Sequence, residues 1–118
     1  MIIALVVLGI CLALFLFLFF FPVVKICGYS MFPTLTDGEF YLSIRVFNKS
    51  KCKVGGIYVF RPPYDSEEEK FVIKRLVEVR NGKYYFLGDN SSDSYDSRYY
   101  GFVNSENVVA KLITGREV

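Results

Sequence analysis

The feature that most constrains this chain is a long apolar run at its N-terminus. Residues 1–24 contain no charged side chain, and the run from Met1 to Phe21 is almost wholly Leu, Ile, Val, Phe and Ala. About 20 such residues in a helix can cross the hydrocarbon core of a bilayer. No basic segment precedes the run and no small-x-small cleavage pattern follows it. We therefore expect a retained transmembrane anchor over residues 1–24 and one globular domain over residues 25–118.

The residues after position 24 favour strands rather than helices. Asn81-Gly82 is a strong β-hairpin signal, and no helical periodicity extends over about ten residues. Segments rich in aromatic and β-branched side chains, bounded by turn residues, cover residues 39–47, 54–60, 71–79, 83–87 and 107–113. The sequence thus predicts a mainly β fold, a small partly closed barrel or sandwich of antiparallel strands tethered to one transmembrane helix.

Composition excludes several classes of function. The net charge is +2, from 14 basic and 12 acidic residues, which is not the basic excess typical of nucleic-acid binding. The chain has no histidine, which excludes Ser-His-Asp triads, Cys-His dyads and most zinc hydrolase sites. The cysteines form no metal-ligand pattern. A Cys27–Cys52 bridge, and contact of Lys49, Lys51 and Lys53 with anionic lipid, stay open as alternatives to free thiols and a solvated loop.

Ser30 is the candidate nucleophile, because it lies where the apolar run gives way to the polar domain. Pro33 fixes its own φ and disfavours a helix at Phe32, so the chain around Ser30 should be turned or extended. A nucleophile there would work at the membrane surface. Ser-Met-x-Pro by itself is more typical of an ordinary loop than of a catalytic site, so the interpretation depends on the residues downstream.

Lys74 is the candidate base. Strand alternation places it between Val72 and Leu76 on one face of the third predicted strand. Burial among apolar side chains disfavours an ammonium and lowers the pKa of a lysine, which is the condition for general-base catalysis near neutral pH. The alternative is a lysine whose stem packs while its head reaches water.

Residues 88–101 are rich in Gly, Asp, Asn and Ser, which predicts a tightly hydrogen-bonded loop. Within it, Asp96 and Arg98 could form a bracing ion pair. Metal binding by Asp89, Asp93 and Asp96 is an alternative, but their spacing departs from a calcium loop, which also needs a later Glu ligand. We therefore expect neither a metal nor a cofactor.

Together these stretches resemble type I signal peptidases, the membrane-anchored Ser/Lys proteases that remove signal peptides from exported proteins. The resemblance covers nearly the whole chain, and its segments follow the family's order. They are the nucleophile box Ser30-Met31-Phe32-Pro33-Thr34, the next strand at residues 55–60, the base box Ile73-Lys74-Arg75, and the last box from Gly88-Asp89-Asn90 through Ser94-x-Asp96-Ser97-Arg98.

The resemblance implies a role for each matching residue. It makes Ser30 the nucleophile and Lys74 the general base, with the Ser30 backbone N–H helping to hold the oxyanion. Ser94 would orient the lysine, and Asp96 and Arg98 would support the site as an ion pair. Many members carry a hydroxyl two residues before the nucleophile, where this chain has glycine, so the second oxyanion donor is unidentified.

The family binds its substrate as an added extended strand, which implies that residues 24–27 and 71–73 flank the substrate here. Small apolar pockets would then explain a preference for Ala-x-Ala before the cut. The residues expected to form them, each of which could equally be ordinary core, are Ile26, Met31, Leu35, Val72 and Ile73. The partners implied are signal peptides of exported preproteins and membrane lipid, with the oligomeric state left open.

The resemblance also implies a location, namely a single-pass protein of the bacterial plasma membrane with its catalytic domain on the extracytoplasmic side. Lys25, the first basic side chain after the apolar run, favours the opposite orientation by the positive-inside rule, and we follow the family instead. Two alternatives stay open. One is a specialised Ser/Lys maturation peptidase of the pilin or conjugation type, and the other is an inactive membrane-anchored module that only binds peptides.

Overall fold

The computed structural model describes residues 1–114, so residues 115–118 of the predicted domain lie outside the described part. A long helix, α1 (Ile2–Phe20), precedes the β domain, which also carries one short helix, α2 (Ser97–Tyr100). The described strands are β1 (Val23–Lys25), β2 (Phe40–Arg45), β3 (Ile57–Phe60), β4 (Val72–Arg80), β5 (Lys83–Leu87), β6 (Val103–Asn104) and β7 (Val108–Leu112).

Helix α1 extends from the β domain and buries none of its residues. By length and composition it could cross a membrane. It ends at Phe20 because Pro22 has no backbone N–H and disfavours helix at the residue before it. Arg45 joins the helix end to the domain, since its Nε donates a hydrogen bond of 2.8 Å to the Phe19 carbonyl. Residues 23 and 24, assigned to the anchor from the sequence, pair with β2 instead.

The strands form one antiparallel sheet in the order β1-β2-β7-β3-β4-β5-β6, which curls into a half-barrel. This confirms the mainly β fold with one N-terminal apolar helix. The five strands predicted from the sequence are all present, and β5 has the predicted bounds. Strands β1 and β6 were missed because segments of 3 and 2 residues are too short to show alternation.

The core fills both faces of the curled sheet. On one face Phe60 stacks on Phe86 with ring centroids 4.1 Å apart, and both rings are fully buried. On β4, Val72, Lys74 and Leu76 are buried, as the alternation predicted. The β4–β5 hairpin turns through Asn81 and Gly82 with φ of 52° and 73°, the left-handed values that a type I′ turn requires.

Candidate active site

The turn that carries Ser30 meets strand β4 at Lys74. The Lys74 Nζ donates a hydrogen bond of 2.7 Å to the Ser30 Oγ. The lysine is only 6% exposed, and it lies between the buried Val72 and Leu76 on the same face of β4. A hydroxyl and an amine within hydrogen-bond reach, in a largely dry setting, have the geometry of a nucleophile and its base.

Burial lowers the pKa of Lys74 below its ordinary value. The carboxylates of Asp96, Glu69 and Asp93 act in the opposite direction, because they favour the ammonium, but they do not outweigh the burial. The neutral amine is therefore more populated near neutral pH than in a free lysine. Little of the Lys74 side chain is exposed, and the part that remains accessible faces the cleft that it lines.

The loop that follows β5 holds the Ser30 backbone. The Asn90 N–H donates to the Ser30 carbonyl at 2.8 Å, and the Asn90 side-chain amide donates to the Tyr29 carbonyl at 2.9 Å. Gly88 lies so close that an added Cβ would stand 2.6 Å from the Ser30 carbonyl oxygen. Only glycine fits there without displacing the nucleophile turn.

The Ser30 N–H is free to act as an oxyanion donor, since no hydrogen bond among residues 1–114 uses it. Gly28, two residues earlier, has a φ of +93°, a left-handed conformation that L side chains rarely adopt. Its N–H donates to the Asp37 Oδ1 at 2.7 Å. The backbone thus gives a physical reason for glycine at the position where a hydroxyl was considered.

Asp96 is fully buried, and its carboxylate accepts hydrogen bonds from several groups of the last box. It accepts from the Gly88 N–H at 3.0 Å, the Ser94 hydroxyl at 2.7 Å and the Arg98 Nε at 2.9 Å. Burial alone would raise the pKa of Asp96, but these hydrogen bonds, chiefly from Arg98, lower it. Asp96 and Arg98 thus form the ion pair considered from the sequence. The Ser94 hydroxyl donates to Asp96 and, within residues 1–114, forms no hydrogen bond with Lys74.

A second ion pair, Arg75–Asp89, lies close to the site, although the sequence analysis gave it no role. It connects β4 to the segment that carries Ser30. Arg75, next to Lys74, binds Asp89 through two hydrogen bonds of 2.9 and 2.7 Å and donates to the Gly55 carbonyl at 2.7 Å. The Thr34 hydroxyl donates to Asp89 at 2.6 Å. Arg75 and Asp89 both lie within the matching boxes, so that match was the signal that could have found them. Asp89 and Asp96 are both paired with arginines, and the described residues contain no group suited to hold a metal.

This ion pair predicts a pH dependence of stability. The hydrogen bonds from Arg75 hold the pKa of Asp89 below its ordinary value, although burial acts to raise it. A carboxyl with a lowered pKa in the folded state stabilises the fold above its unfolded pKa of about 4, and the contribution is lost as the pH falls through the folded value. We expect Asp89→Asn to lower the urea concentration at the midpoint of unfolding at pH 6. At pH 2.5 the substitution should lower that midpoint by less. An equal loss at both pH values would contradict this, and Asp65→Asn, in an exposed loop, is the control.

A cleft of about 660 Å³ opens beside the Ser30–Lys74 pair. Four of the five residues predicted to contact substrate line it, namely Ile26, Met31, Val72 and Ile73. Leu35 does not line the cleft, because it is fully buried in the core beneath it. A neighbouring groove of about 430 Å³ shares Lys25, Phe71 and Ile73 with the cleft and continues to Pro22 and Arg45, beside the end of α1.

Comparison with known proteins identifies the family to which the chain belongs. The sequence profile of the family described as "Signal peptidase, peptidase S26" matches residues 1–79 and 74–114. The chain belongs to this family. Its members in the comparison include the signal peptidase I of Buchnera aphidicola from Acyrthosiphon pisum, 51% identical over 46 residues, which are 39% of this chain and 15% of that protein.

Two further peptidases are similar over longer stretches. The mitochondrial inner membrane protease subunit 1 of Schizosaccharomyces pombe is 31% identical over 116 residues, covering 80% of this chain and 73% of that protein. The signal peptidase I of Aquifex aeolicus is 34% identical over 79 residues, covering 64% of this chain and 30% of that protein. The chain matches only 15% of the length of the Buchnera relatives.

Proposed function

We propose that this protein is a membrane-anchored serine endopeptidase that removes signal peptides from exported preproteins. The observation that carries the proposal is the 2.7 Å hydrogen bond between the Ser30 Oγ and the Nζ of a buried lysine, Lys74. An inactive peptide-binding module would have no need of a buried lysine aimed at a serine, since burying an amine costs free energy without helping to bind a peptide.

The geometry supports a two-step acyl transfer. The Ser30 Oγ forms a bond to the scissile carbonyl carbon while its proton passes to the neutral Nζ of Lys74. The Ser30 N–H stabilises the negative charge on the carbonyl oxygen. The Lys74 ammonium then gives its proton to the leaving nitrogen as the C–N bond breaks. Water then attacks the resulting ester while Lys74 takes its proton, and Lys74 returns that proton to the Ser30 Oγ as the bond between the acyl carbon and Oγ breaks.

Two unpaired strand edges support binding of the substrate as an added strand. Among the described strands, β1 pairs only with β2, and residues 72–74 of β4 pair only with β3 because β5 begins to pair at Arg75. Backbone groups on both edges are thus open to an extended peptide lying in the cleft. Small side chains suit the half-buried wall formed by Ile26, Met31, Val72 and Ile73, which favours an Ala-x-Ala sequence before the cut.

The position of the cleft supports an anchored enzyme that works at a membrane surface. The neighbouring groove leads from Ile73 to the end of α1, where the end of a membrane-inserted signal peptide would emerge. Apolar side chains on the outer face of β1 and β2 are exposed near that helix end, and we propose that lipid covers Val23, Phe40, Leu42 and Ile44. We propose the bacterial plasma membrane, with the β domain on the extracytoplasmic side, in line with the bacterial signal peptidases among the relatives.

The test is cleavage by the full chain reconstituted in lipid vesicles. A preprotein with an Ala-x-Ala site should be cut after the last alanine, as read by mass spectrometry of both products. The same preprotein with phenylalanine in place of that alanine should stay intact, because the ring does not fit a half-buried apolar wall. A reconstituted chain that cuts none of several such preproteins would overturn the proposal.

A further inference from the structure

Tyr95 is an exposed aromatic residue that lines the same cleft as Ser30 and Lys74. It directly follows Ser94 in the last box, and 55% of its surface is exposed. The steps of the proposed cleavage do not use this side chain. A tyrosine ring that is partly in water still has apolar area to bury, so it is available to contact a molecule that fills the cleft.

Three neighbouring rings hold Tyr95 in place. Its ring centre lies 5.3 Å from that of Tyr99, on which it stacks. It lies 5.5 Å from the ring centre of Tyr64 and 5.4 Å from that of Tyr100, and both of these contacts are edge to face. Tyr64 belongs to the loop between β3 and β4, so the rings come from two separate segments of the chain. A side chain that is already ordered loses little conformational freedom when it binds a ligand.

The contact with Tyr100 shows on which side of the sheet Tyr95 lies. Tyr100 packs against the buried cluster that contains the stacked pair of Phe60 and Phe86. Val72, which also lines the cleft, belongs to the same cluster. Val72 and Tyr95 therefore border the cleft from one side of the sheet.

The other apolar residues of the cleft wall lie on the opposite side of the sheet. Ile26 and Met31 belong to the second buried cluster, and Ile73 packs against that cluster. On β4, Ile73 is next to Val72, so the two side chains point to opposite faces. The open edge of β4 thus has an aliphatic wall on one side, and Val72 with Tyr95 on the other.

A peptide that adds to this edge as a strand points successive side chains to opposite sides of the sheet. The two alanines of an Ala-x-Ala sequence are two positions apart, so they share one side. The aliphatic wall of Ile26, Met31 and Ile73 is the side that suits small side chains. The middle residue, x, then points to the side of Val72 and Tyr95.

We propose that Tyr95 and Val72 form the binding site for the middle residue of Ala-x-Ala, and that this site prefers an aromatic side chain. The inference rests on the proposed function, because it takes the cleft to bind an extended peptide as an added strand. An aromatic ring at x packs against Val72 and covers the exposed part of the Tyr95 ring, edge to face or in an offset stack. A small side chain at x leaves that ring in water.

The experiment measures peptide binding by the full chain carrying Ser30→Ala, in detergent micelles, so that no peptide is cut. Three fluorescently labelled peptides differ only in the recognised triplet, which is Ala-Phe-Ala, Ala-Ala-Ala or Phe-Ala-Ala. The first and the third have the same composition and therefore the same apolar content in the presence of micelles. Fluorescence anisotropy gives the dissociation constant of each peptide.

Three further substitutions are combined with Ser30→Ala. Tyr95→Ala removes the ring, and Tyr95→Phe keeps it. Tyr85→Ala is the matched control, because it removes a ring that packs on Phe102 at 5.0 Å and is not among the residues that line the cleft. Thermal unfolding shows whether each variant is folded.

We expect Ala-Phe-Ala to bind about fivefold more tightly than Ala-Ala-Ala, the size of effect typical of one aromatic contact. Tyr95→Ala should remove this difference, whereas Tyr95→Phe and Tyr85→Ala should keep it. Phe-Ala-Ala should bind more weakly than Ala-Ala-Ala, because its ring meets the aliphatic wall. The inference is overturned if Tyr95→Ala weakens Ala-Phe-Ala and Ala-Ala-Ala by the same factor or if the preference survives the loss of the ring. Equal binding of Ala-Phe-Ala and Phe-Ala-Ala would also overturn it.

This measurement does not depend on cleavage, so it separates the two proposals. If the peptides bind as expected while the reconstituted native chain cuts no preprotein, the proposed function fails and the site formed by Tyr95 stands. If the native chain cuts its preprotein but Tyr95→Ala leaves the preference for phenylalanine unchanged, the inference about Tyr95 fails alone.

Discussion

Replacing Ser30 by alanine is expected to abolish cleavage of an Ala-x-Ala preprotein, with a loss of at least about 10³-fold in kcat/KM. Lys74→Met should cause a similar loss, because methionine fills the buried space of the lysine stem but provides no base. The double variant should be no worse than either single variant, since nucleophile and base act as one unit. Initial rates with the reconstituted full chain, under single-turnover conditions, measure all three.

Two matched controls separate chemistry from folding in this experiment. Ser50→Ala and Lys83→Met make the same chemical changes at exposed positions outside the cleft, and they should retain the native rate. Thermal unfolding of each variant shows whether it is folded. A folded Ser30→Ala protein that kept more than about a tenth of the native rate would exclude Ser30 as the nucleophile.

Gly88→Ala is expected to lower the rate by about 10²-fold, although it changes no group that takes part in the chemistry. The added Cβ would stand 2.6 Å from the Ser30 carbonyl oxygen and would also collide with the Ser94 side chain. Both contacts are closer than real carbon atoms allow, and one of them is backbone, so the turn carrying Ser30 must move. A nucleophile displaced by a fraction of an ångström loses its alignment with Lys74 and with the scissile carbonyl.

The control for this second prediction is Gly82→Ala in the β4–β5 hairpin. That glycine has a φ of +73° and open space around its added Cβ, so the substitution strains the backbone without touching the site. It should cost about 1 kcal/mol of stability and leave the rate per folded molecule unchanged. If Gly88→Ala lost activity only in proportion to its loss of folded protein, the close approach to Ser30 would not matter for catalysis.

Local patterns in the sequence determined most of the fold. The apolar run predicts α1, and alternation with turn residues predicts β2, β3, β4, β5 and β7, because burial of one side of a strand leaves a period of two residues in the sequence. The same alternation put Lys74 among buried apolar neighbours. Strands β1 and β6 were not predicted, because each depends on pairing with a longer strand rather than on its own pattern.

The sequence also supplied the chemical groups of the candidate site. The absence of histidine excluded histidine-based sites, and the resemblance to type I signal peptidases made the serine before a proline turn and the lysine inside an apolar strand the pair to consider. Ser30 supplies a hydroxyl, Lys74 supplies an amine, and the apolar residues around Lys74 predict that the amine is buried. The chemical groups of the site and the apolar surroundings of the amine could therefore be predicted without any distance.

Only the tertiary structure decided which groups meet. Ser30 and Lys74 are 44 positions apart, and their contact depends on how the sheet curls and on the loop after β5 that holds the nucleophile turn. The same holds for Asp89 binding Arg75, for Ser94 donating to Asp96, and for Leu35 lying beneath the cleft rather than in its wall. Sequence periodicity indicates whether a side chain is buried. It does not indicate which distant residue that side chain contacts, because this depends on the strand register and on the paths of the loops.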